Sequence, residues 1–516
     1  MEKVEIVLAL IVLATVVAVS ARRLSVPAPS LLVAAGVAAG MLPFVPRISI
    51  DPQLVSVIVL PPLLYAAGED LSWRELRRVW RPVTILAFGL VLASAAAVGV
   101  VAAAVTGLPA AMAFVLGAIL ASTDPVAVTA LGRRLPLPAK VHTLLQGESL
   151  FNDATSLVLF RVAVAGAVAG GALSWQRAIG QFVLLAGGGA AVGAVVAACV
   201  AVIRRRTEDP VLETVIALLT PYVAYVAAEA AHVSGVTAVV VASVILGGLS
   251  ASLTNPGIRL QLHAVYGTVV FLLESIVFAV IGLTLPGLVA DVAGAPGRLL
   301  WQVVAVAATL LAVRFLWVLP LAAFLPAPAG RRLSFRTAAV VSWAGARGVL
   351  PLTAALSLPL LTAAGAALPG RALTVTITVA VIVLTLTVQG FTLSPLVRRS
   401  GIAASPSALS AEDTLADVRT ARAALARLDE LEDRQSVAPA VGAALRRALN
   451  HRIEEHPELS DEHREHDLSA RAVRRDLIAV ELRELDRLHH AGEISDATRR
   501  RRQRALDLSD SALGEL

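Results

Sequence analysis

The sequence predicts an all-α, polytopic membrane protein with about thirteen transmembrane helices and an α-helical cytoplasmic tail. Three observations predict this fold: apolar stretches recur along the chain, basic residues collect in alternate connections between them, and charge becomes dense only near the end. Of the 516 residues, 57% are hydrophobic and 16% are charged, whereas soluble proteins carry about 25% charged residues. We therefore predict a transmembrane domain over residues 1–400 and a soluble tail over residues 401–516.

The apolar stretches have the length of membrane spans, because a helix needs about 20 apolar residues to cross the hydrocarbon core. Thirteen stretches qualify, of which the second and third are short. They lie near residues 4–20, 29–45, 53–68, 83–106, 108–131, 140–168, 177–203, 210–231, 234–252, 262–290, 298–325, 335–365 and 371–396.

The orientation of the spans follows from their connections, because arginine and lysine are enriched on the cytoplasmic side. Arg-rich connections, such as the one with Arg204, Arg205 and Arg206, alternate with connections that hold few basic residues. The last span ends in the Arg-rich set, at Arg398 and Arg399, so the tail is predicted to be cytoplasmic and the N-terminus to lie outside. This is the pattern of a multi-pass protein surrounded by the lipid of a bacterial inner membrane. It explains the net charge of +6 without nucleic acid as a partner.

The pattern of the tail predicts one amphipathic helix over AEDTLADVRTARAALARLDELEDRQ and at least two more near residues 438–455 and 467–490. Histidine titrates near neutrality, so the tail histidines are candidate sensors of cytoplasmic pH, although a solvated helix surface is the simpler explanation. Six of the nine histidines lie in the tail, at His451, His456, His463, His466, His489 and His490. Their spacing does not predict a metal site.

The fifth span contains an acidic residue next to a proline, in the segment LASTDPVAVTAL. Pro125 lacks a backbone donor and disturbs the preceding turn, so a helix broken near Asp124 is predicted. The hydroxyls of Ser122 and Thr123 can satisfy backbone groups that the break sets free. Unwound carbonyls at membrane depth can bind a cation. A proline kink with a satisfied aspartate is the alternative.

The sixth span places four polar residues on adjoining faces, in the segment GESLFNDATSLVLF. Glu148 and Asn152 are four residues apart and share one face, while Ser149 and Asp153 share the next. Hard cations prefer such oxygen ligands. A carboxylate in this setting binds a proton or a cation but not both, and that competition is the minimal chemistry of an antiporter.

The twelfth span contains a charge in VSWAGARGVLPLTAALSLP. Arg347 needs an anion at membrane depth, and Glu148 is the predicted partner. Gly345, Gly348 and Pro351 predict a second interrupted helix. The fifth and twelfth spans are each the fifth in a set of six, which predicts inverted repeats joined by the seventh span and an ion site at the two broken, crossing helices.

At this point the chain resembles a known family. STDPVAV, GESLFND and GARGVLPL resemble motifs of the cation:proton antiporter-1 family, which includes NhaP-like bacterial sodium/proton antiporters and the eukaryotic exchangers. VLPPLLYAA and FLLESIVFAVIGL also fit, and the resemblance covers about residues 4–400. It implies a homodimer that exchanges Na⁺ or Li⁺ for H⁺ by alternating access, contributes to pH regulation and needs no cofactor beyond the transported ions.

The resemblance also implies roles for individual residues. Asp153 would be the carboxylate shared by Na⁺ and H⁺. Asp124, the main chain of Thr123 and Ser149 would complete the ion shell, so that Na⁺ would bind at Asp153 and Asp124. Asn152 stands where electrogenic relatives carry a second aspartate, which implies electroneutral exchange of one proton for one Na⁺.

Two further positions bear on the resemblance. Glu148 and Arg347 match a family ion pair between the sixth and twelfth spans, which we assign to holding the site rather than to binding the ion. Several relatives carry a glutamate near the ion where this chain has Ala66, which leaves the full set of ligands open.

Other functions stay open on the residues alone. A K⁺/H⁺ antiporter on the same fold would use the same ligand types, because cavity size decides between the ions. An intramembrane aspartyl protease would also place two aspartates at membrane depth, although Thr-Asp-Pro and Asn-Asp-Ala differ from the motifs of such enzymes. A channel is disfavoured by the two broken helices.

Overall fold

The fold is almost entirely α-helical over the residues that the computed structural model describes. These are residues 12–17, 19–21, 28–42, 55–69, 71, 73–124, 139–169, 175–207, 209–253, 256–292, 296–324, 335–400, 406–434, 438–454, 480, 481, 483, 484 and 487. The chain divides into two compact units, Met1–Ala404 and Ser405–Leu516.

The first unit contains fifteen described helices. They are α1 (Val12–Ala21), α2 (Ala28–Gly40), α3 (Leu60–Glu69), α4 (Trp73–Thr84), α5 (Val91–Thr106), α6 (Ala110–Leu120), α7 (Ala139–Ala169), α8 (Trp175–Arg204), α9 (Pro210–Ala230), α10 (Gly235–Leu253), α11 (Pro256–Val292), α12 (Pro296–Phe324), α13 (Phe335–Trp343), α14 (Val349–Leu356) and α15 (Arg371–Ser400). A π-helical segment, Val55–Val59, precedes α3, and another, Ile85–Leu90, joins α4 to α5.

These helices match the predicted spans. Among the described residues, seven helices are long and apolar enough to cross a membrane, and five shorter apolar helices accompany them. The α13–α14 pair accounts for the twelfth predicted span, so each of the thirteen predicted stretches contains a described helix. The predicted all-α polytopic fold is therefore confirmed.

Local chemistry sets several helix ends. Asp209 precedes α9, and its carboxylate accepts hydrogen bonds from the backbone N–H groups of Val211 and Leu212 at 2.8 and 3.0 Å. Pro210 follows as the first helical residue, where a missing N–H costs nothing. Gly107 ends α5 in the left-handed conformation, with φ of 73°, which glycine adopts without strain.

Small residues allow close helix packing, as between α2 and α11. A Cβ at Gly36 would lie 2.3 Å from the carbonyl oxygen of Ala279, and a Cβ at Gly282 would lie 2.3 Å from that of Val33. The two backbones are thus in direct contact. Small residues at such contacts are typical of membrane helices, where packing rather than the hydrophobic effect drives association.

The apolar interior forms two main clusters, and α7 contributes to both. Leu145 and Leu150 belong to one cluster, and Leu159 and Phe160 belong to the other. Asp153 lies on α7 between these two sets of residues. The helix therefore carries Asp153 between the two apolar clusters.

The second unit contains two described helices, α16 (Pro406–Asp433) and α17 (Pro439–Glu454), which pack against each other. Arg446 on α17 donates hydrogen bonds to Asp429 and Glu432 on α16, at 2.5 and 2.6 Å. Of the tail histidines, His451 lies on α17, and the other five lie outside the described residues. Most of the predicted helix near residues 467–490 lies outside them as well.

Candidate functional site

Two unwound segments meet in the interior of the first unit. α6 ends at Leu120 and residues 121–124 continue without helical structure, while residues 344–348 separate α13 from α14. The backbone N–H of Asp124 donates a hydrogen bond to the carbonyl of Ala346 at 2.8 Å. The interruption predicted for the twelfth span is present, and the two breaks lie side by side. The course of the fifth span beyond Asp124 lies outside the described residues.

α7 is joined to the first unwound segment through Thr123. Ser149 Oγ donates to the Thr123 carbonyl at 2.6 Å, and Asn152 Nδ2 donates to Thr123 Oγ1 at 2.6 Å. The Thr123 N–H donates in turn to Asn152 Oδ1 at 3.5 Å. All three residues are buried. The polar face predicted for the sixth span therefore does lie against the predicted break. The unwound segment contributes hydroxyl and carbonyl oxygens there, and α7 contributes a hydroxyl and an amide oxygen.

Asp153 lies beside this junction and is bound by Ser122. Ser122 Oγ donates to Asp153 Oδ1 at 2.5 Å, and the Asp153 residue is 8% exposed. Ser122 was predicted to satisfy backbone groups freed by the break, but its hydroxyl binds the carboxylate instead. A backbone group of α6 is satisfied from α7: Ser156 Oγ donates to the carbonyl of Ala118 at 2.7 Å.

Asp124 lies against the second break. A Cβ at Gly348 would overlap the carboxylate of Asp124, so only glycine leaves room for that carboxylate in its present position. Asp124 is partly buried, and its backbone is already held by Ala346. The structure thus brings Asp124, Thr123, Ser149, Asn152 and Asp153 together, as the sequence motifs predicted.

The ion pair of Glu148 differs from the prediction. Glu148 was assigned to Arg347, but its partner is Arg314 on α12: Arg314 Nη1 lies 2.5 Å from Glu148 Oε1, and Nη2 lies 3.0 Å from Oε2. Both side chains are buried: that of Arg314 is 3% exposed and that of Glu148 is 1% exposed. Arg314 also donates to the carbonyl of Val341 through Nε and Nη2. Paired in this bidentate manner, Glu148 holds α7 to α12.

Arg347 is turned toward its own segment instead. Its Nη1 donates to the carbonyl of Gly345 at 2.6 Å, and its Nε has no hydrogen-bond partner among the described residues although the side chain is buried. Because residues 344–348 are unwound, Arg347 satisfies a carbonyl that a helix would have used. Gly345 also makes room for Arg314, since a Cβ there would lie 2.7 Å from the Arg314 Nε.

Arg314 was missed by the sequence reasoning, although a signal existed. It stands within the apolar eleventh stretch, in TLLAVRFLWVLP, and a charge inside a span indicates a functional or paired residue. The structure places it beside Arg347 around a narrow space next to α5. That space is also lined by Ser94, Thr123, Glu148 and Asn152.

Comparison with known proteins identifies this arrangement of helices and polar residues. A family model described as the transmembrane sodium/hydrogen exchanger matches residues 7–399. The chain belongs to this family. A relative from Mycobacterium bovis, named as an uncharacterized Na⁺/H⁺ exchanger, is 34% identical over 444 residues, which cover 84% of this chain and 81% of the relative.

Two further exchangers and antiporters are similar to the chain. A Bacillus subtilis protein, named as a sodium, potassium, lithium and rubidium/H⁺ antiporter, is 32% identical over 389 residues, covering 72% of this chain and 58% of that protein. The solved structure of the sodium proton antiporter MjNhaP1 from Methanocaldococcus jannaschii superposes with a TM-score of 0.62 at 21% identity, covering 76% of this chain and 98% of that one. At this identity the match concerns the fold.

Membership of the exchanger family confirms the resemblance seen in the motifs. The protein is a multi-pass membrane protein that exchanges monovalent cations for protons. It is a transporter and not an enzyme, so the alternative of an intramembrane aspartyl protease is excluded by the family and the fold.

Proposed function

We propose that this exchanger transports Na⁺, or Li⁺, against H⁺ at Asp153, with one proton for each cation. The observation that carries the proposal is the position of Asp153, a buried carboxylate bound to an unwound segment that supplies hydroxyl and carbonyl oxygens beside it. Such oxygens are the ligands that hard cations prefer. The same carboxylate can take a proton when the cation leaves.

The competition between the two ions follows from burial. An ionised carboxylate away from water requires compensation by a positive charge, either a bound cation or a proton. When Na⁺ occupies the site, the carboxylate is ionised, and when a proton binds, the carboxylate loses the charge that attracts the cation. Asp124 and Ser149, which flank the Thr123 main chain, are the proposed additional ligands. One occupant at a time then gives exchange rather than co-transport.

The one-for-one ratio is supported by the neighbours of Asp153 on α7. Glu148 is neutralised by Arg314, and Asn152 cannot ionise and is engaged with Thr123. Among the residues that the structure describes, Asp153 is thus the acidic residue on α7 that has no arginine partner. One exchangeable charge on this helix favours an electroneutral cycle.

K⁺ is the second candidate cation. The Bacillus subtilis relative is named for sodium, potassium, lithium and rubidium, so the same family accommodates larger ions. Ala66, where several relatives carry a glutamate, is partly buried and offers no oxygen from its side chain. Because ligand number and cavity size help to decide which cation a site prefers, the missing acidic side chain supports a broad cation range as the alternative to Na⁺ selectivity.

Alternating access, the homodimer and the orientation belong to the same proposal. The two unwound segments are joined by a hydrogen bond from the Asp124 N–H to the Ala346 carbonyl. This arrangement supports a site whose exposure to the two sides of the membrane changes when whole helices move. We propose a homodimer in a bacterial inner membrane, with a cytoplasmic tail and an outside N-terminus, that contributes to pH regulation. The alternation of Arg-rich connections supports this orientation.

The test uses everted membrane vesicles with an acidic lumen, in which a pH-sensitive dye reports alkalinisation when Na⁺, Li⁺ or K⁺ is added. Asp153→Asn is compared with the wild type and with Glu430→Gln, which alters an exposed carboxylate of the tail. We expect Na⁺ and Li⁺ responses that disappear only in Asp153→Asn. Normal exchange by Asp153→Asn would refute the site, whereas a response to K⁺ alone would establish the second candidate.

A further inference from the structure

The hydroxyl of Ser122 is the hydrogen-bond donor that the described residues provide for the Asp153 carboxylate. Its Oγ lies 2.5 Å from Asp153 Oδ1, and the two residues are 3% and 8% exposed. Hydrogen bonds to an ionised acceptor are shorter and stronger than those between neutral groups. The bond is also sheltered from water, which would otherwise compete for the same oxygen.

Ser122 differs from the other hydroxyls around the junction. Ser149 donates to the backbone carbonyl of Thr123, and Ser156 donates to the backbone carbonyl of Ala118. Both side chains stand on α7; Ser149 holds the unwound segment, whereas Ser156 holds the last turn of α6. Ser122 stands on the unwound segment itself and reaches in the opposite direction, to the carboxylate on α7. Its bond is therefore the contact that links the break to the acidic side chain.

The bond occupies Oδ1 of the carboxylate, and no described residue donates a hydrogen bond to Oδ2. A carboxylate held by a single hydrogen bond of this kind cannot rotate freely about its terminal torsion. Ordering a side chain before binding lowers the entropy that the binding step loses. Donation to the carboxylate also stabilises its ionised state, the state in which a cation binds.

We propose that Ser122 is a positioning residue for cation binding, whose hydroxyl orients the Asp153 carboxylate so that its second oxygen faces the transported cation. This inference rests on the proposed function of Asp153. It assigns to the residue before Thr123 a role in cation affinity, while the rate of the conformational cycle depends on other contacts.

The experiment compares Ser122→Ala, Ser122→Thr and the matched control Ser156→Ala in the full-length protein. Loss of a hydrogen bond to a charged group corresponds to roughly a tenfold or larger change in a binding constant. We expect Ser122→Ala to raise the apparent KM for Na⁺ by about tenfold with little change in maximal rate. Ser122→Thr keeps the hydroxyl and is expected to restore the affinity, and Ser156→Ala is expected to keep the wild-type KM.

A second measurement detects Na⁺ binding without turnover. Purified protein is heated at increasing Na⁺ concentration, because a ligand that binds the folded state raises its Tm. The concentration for half-maximal stabilisation should rise in Ser122→Ala and stay unchanged in Ser156→Ala. The inference would be overturned if this Na⁺ concentration were the same in Ser122→Ala and Ser156→Ala. It would also be overturned if Ser122→Thr did not restore the wild-type concentration.

Failure of this inference can be told apart from failure of the proposed function. If Asp153→Asn abolishes exchange while Ser122→Ala behaves as the wild type, the ion site stands and only the role of Ser122 is wrong. If Asp153→Asn retains exchange, the carboxylate is not the site, and the role assigned to Ser122 is refuted with it.

Discussion

Replacement of Arg314 is the sharpest test of the interior electrostatics. Arg314→Ala removes the two hydrogen bonds to Glu148 and the two to the carbonyl of Val341, and it leaves Glu148 buried at 1% exposure without the arginine that pairs with it. Breaking a buried ion pair by removing one partner costs about 3–5 kcal/mol of folding free energy. We therefore expect a large loss of stability.

Arg347→Ala is the matched comparison, because Arg347 is a buried arginine of the same region. Within the described part of the chain, this substitution removes one side-chain hydrogen bond, to the Gly345 carbonyl at 2.6 Å, because the Arg347 Nε has no partner there. Glu148 keeps Arg314, so no carboxylate is left uncompensated. Loss of one hydrogen bond made by a charged group costs about 1.5–3 kcal/mol. Arg314→Ala should therefore lower the free energy of unfolding more than Arg347→Ala does.

The assay is thermal unfolding of each purified variant in detergent, followed by tryptophan fluorescence, together with the amount of protein in the membrane. The double variant Glu148→Gln, Arg314→Met removes both charges and should recover much of the stability lost in Arg314→Ala, since neutral replacement of a buried pair is often well tolerated. If Arg347→Ala were as unstable as Arg314→Ala, the reasoning would be refuted, and Arg347 would be the ion-pair partner of Glu148.

Two further outcomes follow from the glycines. Gly348→Ala should abolish exchange, because the new Cβ would overlap the Asp124 carboxylate and displace it. The vesicle assay should show this loss at normal protein levels. Wild-type exchange by Gly348→Ala would mean that the position of Asp124 is unimportant. Gly282→Ala should lower the free energy of unfolding by about 1–3 kcal/mol, because the added methyl group overpacks the contact between α2 and α11. The measurement is a lower Tm. Gly180→Ala, with no atom within 4 Å of the new Cβ, is its control, and equal Tm values for the two would contradict the packing argument.

The polar residues of the junction show how far local patterns reach. Helical spacing placed Ser149 and Asn152 on adjoining faces of one span, and Pro125 after Asp124 predicted the nearby break. Both predictions concern residues within a few turns of each other, where chain geometry limits the possible arrangements. Their meeting at Thr123 was not predicted by the helical spacing. The family resemblance implied it, because it placed Ser149 and the main chain of Thr123 in one ion shell.

The sequence alone determined the helical membrane fold, its spans and the acidic residues that lie at membrane depth, because apolar length and helical period depend only on neighbours along the chain. The tertiary structure decided the partners. Glu148 could pair with either of two buried arginines, Arg314 or Arg347. Arg314, 166 residues away along the chain, makes the ion pair because its helix passes beside Gly345. The orientation of Ser122 toward Asp153 was decided in the same way. Contacts between distant segments depend on how helices pack in three dimensions, and a single sequence carries no local pattern that specifies them.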